Sequence, residues 1–291
     1  MTTPAPETRR FAGRDGVMLA ADVWGSPGGS TVLMLHGGGQ TRHSWKATGA
    51  VLAEHGFRVV TLDTRGHGDS DWSPDGEYGM ARYRDDVLAV LTELDSPAVI
   101  IGASLGGLTG IHVARTAGPE RVPGLVLVDV VPRVEDAGGS RIASFMRGNP
   151  DGFASLEDAA DAVADYLPHR PRPRSADGLR RNLRQRANGR WYWHWDPRML
   201  SGRRSDEQRT AHQEAVETAA RELEMPVLLL WGRMSDVVSA AGVEEFRELV
   251  PHADVVSLAG AAHTAAGDDN DAFSAAVIEF CTRFASERSG A

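Results

Sequence analysis

A serine stands between two glycines where a strand-like segment gives way to a helix-like one. Ser104 is the centre of the run Gly-Ala-Ser-Leu-Gly at 102–106, after the apolar segment 98–101 and before the helix-compatible segment 108–115. Such a turn forces the serine backbone into a strained conformation that small neighbours permit, and it presents the hydroxyl at a helix N-terminus. The pattern predicts that Ser104 is a nucleophile.

A serine hydroxyl is a poor nucleophile near neutral pH unless a base takes its proton and a third group orients that base. His263, in a loop of small residues after the strand-like segment 255–258, is the predicted base. Asp236, shortly after the strand-like segment 227–232, is the predicted orienting acid. Asp129, at the end of another strand-like segment, is the alternative acid.

The negative oxygen of a tetrahedral intermediate needs backbone N–H groups directed at it. The apolar segment 31–35 runs into His-Gly-Gly-Gly-Gln at 36–40, where missing side chains allow a close approach to a ligand. We predict that the amides of Leu105 and Gly38 form this oxyanion hole, with Gly39 as the alternative to Gly38. The neighbouring His36 is interpreted as a structural imidazole bonded to the backbone.

These motifs together resemble the α/β-hydrolase-fold serine hydrolases, in the subgroup of esterases, cofactor-free haloperoxidases and epoxide hydrolases. The resemblance covers nearly the whole chain and includes the run Asp-Thr-Arg-Gly-His-Gly-Asp-Ser at 63–70. It implies the order Ser, Asp, His along the chain and favours Asp236 over Asp129 as the acid. Epoxide hydrolases and haloalkane dehalogenases carry a carboxylate at the nucleophile position, so Ser104 argues against both chemistries.

The alternation of apolar runs and helical patterns is typical of a mostly parallel sheet covered on both faces. The predicted fold class is α/β: an α/β-hydrolase fold with a mostly parallel eight-stranded sheet flanked by helices. The long interval after the sixth strand predicts an insertion with helices at 156–166, 178–187 and 207–223. The family resemblance implies that this insertion is a helical cap over the nucleophile. Residues 1–133 and 224–291 are thus assigned to the core and 134–223 to the cap.

Two features of the predicted cap have alternative interpretations. Eight arginines fall between 170 and 190, and they indicate a solvated face, with an anionic substrate, lid closure or nucleic acid as alternatives. The run Trp-Tyr-Trp-His-Trp at 191–195 alternates large rings and predicts an extended segment with one buried face. Its rings could pack the cap onto the core or line the substrate cavity, and we predict that Trp193, Trp195 and Gly39 bind substrate.

The run at 63–70 contains Asp63, Arg65, His67 and Asp69, which could be mistaken for a metal cluster. Their tight spacing in a glycine-rich turn is better explained by side-chain to backbone bonds that hold a sharp reversal. We predict neither a metal nor a cofactor.

Composition limits the remaining possibilities. The chain has 291 residues, a formal net charge of -9 and one cysteine, Cys281, which the helical spacing places on an apolar face. The negative charge makes nucleic acid an unsuitable partner. The sequence offers neither a signal-peptide pattern nor a long uncharged span, so we expect a cytoplasmic protein that does not bind a membrane. The predicted partner is a small-molecule substrate, with the protein a monomer or homodimer.

The sequence therefore predicts a serine hydrolase that cleaves a small ester or related acyl compound through an acyl-enzyme. The same residues could support perhydrolysis, as in a haloperoxidase, or hydrolysis of a carbon–carbon bond, because fold and triad fix neither acceptor nor scissile bond. A ligand receptor without turnover is a further alternative from another functional class.

Overall fold

The computed structural model describes residues 5–133, 135–168, 172, 175–201, 205–258 and 271–285. An eight-stranded sheet lies at the centre of the molecule. Its strands are β1 Glu7–Ala12, β2 Met18–Trp24, β3 Thr31–Leu35, β4 Arg58–Leu62, β5 Ala98–Ala103, β6 Leu125–Val128, β9 Val227–Gly232 and β10 Asp254–Leu258; β7 and β8 form a separate hairpin described below. The order of the strands across the sheet is β1-β2-β4-β3-β5-β6-β9-β10. The first pairings, β1 with β2 and β2 with β4, are antiparallel, and all later ones are parallel.

Helices cover both faces of this sheet. They are α1 Lys46–Glu54, α2 Met80–Leu94, α3 Leu105–Ala117, α6 Asp206–Arg221, α7 Ala240–Leu249 and α8 Asp271–Ala285. Successive residues of a strand point to opposite faces, and the buried side chains accordingly separate into two clusters. Leu33, Ile100 and Leu127 belong to the cluster that includes residues of α2, α3, α6 and α7. Val32 and Ile101 belong to the cluster with residues of α1 and α8.

The predicted α/β class and the mostly parallel sheet are confirmed. The predicted core strands agree with the observed ones to within a few residues, because runs such as Thr31–Leu35 are buried on both faces and carry an apolar signal throughout. Cys281 is buried on α8 as predicted, and burial raises the pKa of its thiol to about 12. None of the described helices is long and apolar enough to cross a membrane.

The chain between β6 and β9 contains helix α4 Asp136–Arg147, helix α5 Leu156–Tyr166, a hairpin of β7 Leu183–Gln185 and β8 Trp191–Trp193, and then α6. The predicted helix at 178–187 is wrong: only 177–181 form a short 3-10 helix, and the rest enters the hairpin. Gly189, at φ 77°, makes the turn that pairs the two strands. The tertiary pairing overrides the local helical pattern. The division of the chain at residues 134 and 223 stays a prediction.

A buried ion pair joins the turn after β4 to helix α2. The Arg65 guanidinium donates two hydrogen bonds of 2.6 Å to the two carboxylate oxygens of Asp86. Both side chains are almost fully buried, at 1% and 3% exposure. Removal of one partner of such a pair leaves an uncompensated buried charge, which is strongly destabilising.

We therefore expect Asp86→Ala to lower the free energy of unfolding by about 3–5 kcal/mol, measured by urea denaturation. The adjacent Asp85 pairs with Arg84 at the surface, where both side chains are 33% exposed. Asp85→Ala is the matched control and should change stability by less than about 1 kcal/mol. Equal losses in the two variants would contradict the importance of the buried pair.

Candidate active site

Ser104 lies on a sharp turn between β5 and α3. Its backbone has φ 47° and ψ -115°, a strained conformation for a residue with a side chain. The flanking glycines are required by space: a Cβ at Gly102 would lie 2.4 Å from the Gly106 carbonyl oxygen, and one at Gly106 would lie 2.3 Å from the Leu35 oxygen. The predicted strand-turn-helix arrangement around Ser104 is present.

The glycine loop after β3 lies against this serine. A Cβ at Gly37 would be 3.4 Å from the Cβ of Ser104. The Gly39 N–H donates to His67 Nε2 at 3.1 Å, and the Gly37 N–H donates to Gln40 Oε1 at 3.0 Å. Within the described part of the chain, the Gly38 N–H has no hydrogen-bond acceptor. Of the two candidate amides, Gly38 is therefore the one available to a ligand.

Asp129 directly follows β6, next to Ser104. Ala103 of β5 pairs with Val128 of β6, so Ser104 and Asp129 each follow one of two paired residues on adjacent strands. Asp129 is fully buried and has a φ of 49°. Its Oδ1 accepts a hydrogen bond from the Gly232 N–H at 3.0 Å, and its Oδ2 accepts one from the Ser235 hydroxyl at 2.6 Å.

Asp236 has different surroundings. It lies on the loop after β9, its side chain is 38% exposed, and its Oδ2 is 2.6 Å from the Arg141 guanidinium of α4. His263, the predicted base, lies outside the described residues. The roles assigned to Asp236 and His263 therefore stay predictions.

Three buried histidines surround the glycine loop and the 63–70 turn. His36 Nδ1 lies 2.7 Å from the Gly37 carbonyl oxygen, and its Nε2 accepts the Thr64 N–H at 3.0 Å. The rings of His36 and His67 are 4.9 Å apart, and those of His67 and His194 are 5.9 Å apart. The prediction of a structural His36 is confirmed.

Burial keeps these imidazoles neutral. It is the main cause that lowers the pKa of His36 to about 4 and that of His67 to about 3. Burial, with His67 and His36 nearby, also lowers the pKa of His194 well below its ordinary value. Each ring can therefore accept one hydrogen bond and donate another near neutral pH.

The 63–70 turn is held by side-chain to backbone bonds, as predicted. Asp63 Oδ1 accepts the Arg42 N–H at 2.6 Å and its Oδ2 accepts the Asp69 N–H at 2.9 Å. The Arg42 guanidinium also contacts Asp22, Asp63 and Asp69, at 3.1, 2.5 and 2.8 Å. This arginine compensates the charge of a carboxylate cluster next to the glycine loop.

Helix α4 crosses the carboxyl edge of the sheet. A Cβ at Gly138 would lie 2.4 Å from the Asp236 carbonyl oxygen, and Met146 Sδ would be 3.3 Å from a Cβ at Gly39. Gly138 and Met146 are eight residues apart on α4, a length of ~12 Å. This is close to the distance between β9 and β3, which are three strand spacings, or ~14 Å, apart. The end of β5, which carries Ser104, lies between those strands. Helix α4 was not among the predicted helices, because its glycines and polar residues weaken the helical pattern.

Trp193 and Trp195 pack within an aromatic cluster of the segment between β6 and β9. Their rings stack at 4.9 Å, and Phe145 lies 5.4 Å from Trp193. The Trp195 Nε1–H donates to the Met146 carbonyl at 3.3 Å. The extended segment predicted at 191–195 is confirmed over Trp191–Trp193. Substrate contact by Trp193, Trp195 and Gly39 stays a prediction.

The six described arginines of the 170–190 cluster do not form one bare basic surface. Arg172 bonds Asp161 and Arg184 bonds Asp69, while Arg180 and Arg186 lie over the rings of Trp191 and Tyr192. These contacts favour the structural interpretation of the cluster. His194, whose ring lies 5.9 Å from that of His67, was not among the predicted residues; its place among rings that alternate between faces was the available signal.

Comparisons with known proteins agree with this geometry. The family described as alpha/beta hydrolase fold matches residues 30–269. The esterase Rv0045c of Mycobacterium tuberculosis is 35% identical over 200 residues, which cover 66% of this chain and 64% of that protein. A crystal structure of that esterase has a TM-score of 0.71 at 28% identity, covering 97% of this chain and 92% of that one.

Two further similarities are more distant. Mouse protein phosphatase methylesterase 1 is 33% identical over 138 residues, which are 46% of this chain and 36% of that protein. E-2-(acetamidomethylene)succinate hydrolase has a TM-score of 0.80 at 22% identity, over 95% of this chain and 99% of that one, a likeness of fold alone. The chain thus spans less than two thirds of the curated relatives' length in these alignments. It belongs to the α/β-hydrolase-fold family.

The buried neutral histidines predict a loss of stability in mild acid. In the unfolded chain each imidazole binds a proton near pH 6.5, whereas native His36 and His67 have pKa values of about 4 and about 3. The unfolded state therefore binds more protons below pH 6.5. Each histidine should lower the free energy of unfolding by about 1 kcal/mol between pH 7.5 and pH 5.5. Urea denaturation at the two pH values measures the change.

His67→Gln supplies the control, because an amide does not titrate in this range. The variant should lose about 1 kcal/mol of the pH-dependent difference, whatever its stability at pH 7.5. A pH dependence equal to that of the unchanged protein would show that His67 does not contribute.

Proposed function

We propose that this protein is a serine hydrolase that cleaves a small ester through an acyl-enzyme. The observation that carries the proposal is the strained Ser104 turn with the Gly37–Gly39 loop packed against it. The strain has a use only if the hydroxyl must be presented at this edge of the sheet. The relatives named esterase and methylesterase support the same class of reaction.

In the proposed reaction the Ser104 hydroxyl attacks the ester carbonyl carbon while His263 takes its proton. The carbonyl oxygen becomes an oxyanion and accepts hydrogen bonds from the N–H groups of Leu105 and Gly38. His263 then gives the proton to the leaving alcohol, which departs as the acyl-enzyme forms. Water, deprotonated by the same imidazole, attacks the acyl-enzyme and releases the acid and Ser104.

We further propose Asp129, in place of Asp236, as the carboxylate that orients His263. A triad acid must hold one imidazole tautomer and stabilise the imidazolium that forms during attack. Asp129 has a buried, fixed carboxylate one strand away from Ser104, and two donors restrict its rotation. Asp236 is partly exposed and already bound to Arg141. An exposed carboxylate in water, next to a cation, stabilises an imidazolium less.

The first test is Ser104→Ala. The variant should fold, because the partly exposed hydroxyl contributes little to core packing, and should lose both esterase activity and labelling by a fluorophosphonate. Intact-mass measurement detects the label on the unchanged protein and its loss in the variant. Chromogenic esters of increasing acyl length measure the esterase activity. Full turnover by purified Ser104→Ala would exclude the covalent mechanism.

The second test compares Asp129→Asn with Asp236→Asn. We expect Asp129→Asn to fold and to lose on the order of 10²- to 10⁴-fold in kcat, since an amide cannot stabilise the imidazolium. Asp236→Asn should stay within a few-fold of the original kcat and lose less than about 1 kcal/mol of stability. The measurements are kcat near neutral pH and circular dichroism.

The reverse result, a crippled but folded Asp236→Asn and an active Asp129→Asn, would assign the acid to the loop after β9. Both carboxylates are tested by the same isosteric change, so a difference in kcat cannot come from a change in side-chain size.

A further inference from the structure

The peptide unit that joins Gly38 to Gly39 is bound by an imidazole. The Gly39 N–H donates to His67 Nε2 at 3.1 Å, so this nitrogen must carry a lone pair. His67 Nδ1 lies 3.1 Å from the Arg65 carbonyl oxygen and carries the proton of the neutral ring. The preceding peptide unit is bound through its carbonyl, because Gly37 O faces His36 Nδ1 at 2.7 Å and accepts the Gln40 N–H at 3.1 Å.

A trans peptide directs its N–H opposite to its C=O. A fixed Gly37 carbonyl therefore fixes the direction of the Gly38 N–H, which belongs to the same planar unit, while the bond from the Gly39 N–H to His67 holds the peptide unit on the other side of Gly38. Glycine has the widest conformational freedom of any residue, and Gly39 already has a φ of 74°. Without an acceptor for the Gly39 N–H, the second peptide unit could rotate and displace the first.

The 63–70 turn, which carries His67, is bound by the segment that follows β8. The Gly68 N–H donates to His194 Nδ1 at 2.6 Å, and the Asp196 N–H donates to the Gly66 carbonyl at 2.9 Å. Asp196 is fully buried and accepts a hydrogen bond of 2.5 Å from the Tyr78 hydroxyl. His194 is thus fixed on the core next to the His67 ring.

We propose that His67 is a positioning residue for the oxyanion amide of Gly38, and that His194 extends this control to the segment between β6 and β9. His67 holds the Gly38–Gly39 peptide unit, and His194 holds the turn that places His67. Formation of the oxyanion hole then depends on docking of residues 182–199 onto the core. The inference rests on the proposed function only in its assignment of the oxyanion to Gly38.

The test uses paired substitutions of the complete chain. His67→Leu removes the acceptor, while His67→Gln keeps an oxygen at about the reach of Nε2. His194→Leu removes the second acceptor, while His194→Asn keeps an oxygen at about the reach of Nδ1. His112→Leu is the matched control. His112 is likewise a neutral histidine, with a pKa of about 4, but it is only partly buried and lies on α3 away from the glycine loop.

Three readouts separate positioning from general stability. They are hydrogen–deuterium exchange of peptides that cover 36–41, the separate kcat and KM for a small ester, and the affinity for a trifluoromethyl ketone that forms an oxyanion on Ser104. In His67→Leu we expect faster exchange, a 10- to 100-fold lower kcat with KM changed less than about three-fold, and a parallel loss of ketone affinity. His67→Gln should recover most of each.

His194→Leu should show the same pattern with smaller changes, and His194→Asn should recover them. His112→Leu should leave all three readouts unchanged. Unaltered exchange in His67→Leu would overturn the proposal, and so would faster exchange with unchanged kcat and ketone affinity. Should His67→Leu fail to fold, a His194→Leu variant with the original exchange and kcat would overturn the coupling to residues 182–199.

The exchange measurement does not depend on turnover. If the unchanged protein neither cleaves esters nor reacts with a fluorophosphonate, the proposed function fails, while faster exchange in His67→Leu would still establish that His67 holds the loop. If Ser104 is labelled and esters are cleaved but exchange is unaffected, only the present inference fails.

Discussion

The backbone of Ser104 is the constraint on which the rest of the site depends. A φ of 47° at a residue with a side chain is unfavourable by about 1–3 kcal/mol, so the surrounding structure must enforce it. It does so by close packing: Gly106 lets α3 begin against the end of β3, where a Cβ would lie 2.3 Å from the Leu35 carbonyl oxygen. The same approach brings the glycine loop that follows β3 next to the serine. The strained turn and the position of the glycine loop therefore both depend on this single helix–strand contact.

Burial, with a smaller contribution from charge, keeps the imidazoles around this contact neutral. It is the main cause of the lowered pKa values of His36 and His67. Arg42 is almost fully buried and faces the carboxylates of Asp22, Asp63 and Asp69. Its positive charge adds to the effect of burial on the pKa of His36, because it opposes protonation of that ring. Neutral rings can accept backbone N–H groups, which a charged ring cannot do. Burial thus supports the hydrogen bonds that shape the glycine loop.

The segment between β6 and β9 contacts the core in two different ways. Residues 182–199 are attached through hydrogen bonds to buried groups, such as that from the Tyr78 hydroxyl to the fully buried Asp196. Helix α4 contacts the core through the backbone of Asp236 next to Gly138, through the exposed pair of Arg141 and Asp236, and near its end through Met146 next to Gly39. Exposed ion pairs are weak, whereas buried bonded groups are costly to separate. The two parts are joined by the buried hydrogen bond from Trp195 Nε1–H to the Met146 carbonyl.

The sequence by itself determined the core strands, the turn at Ser104, the glycine loop and the structural role of His36, because each depends on local pattern: continuous apolar runs, or glycine where a side chain cannot fit. It also placed two aspartates, 129 and 236, after strands of the sheet. Only the tertiary structure showed that the Gly39 N–H is bound to His67, and it distinguished the buried Asp129 from the Arg141-bound Asp236. It likewise turned the predicted helix at 178–187 into a hairpin strand. Burial and pairing depend on residues distant in the chain, and no local pattern carries that information.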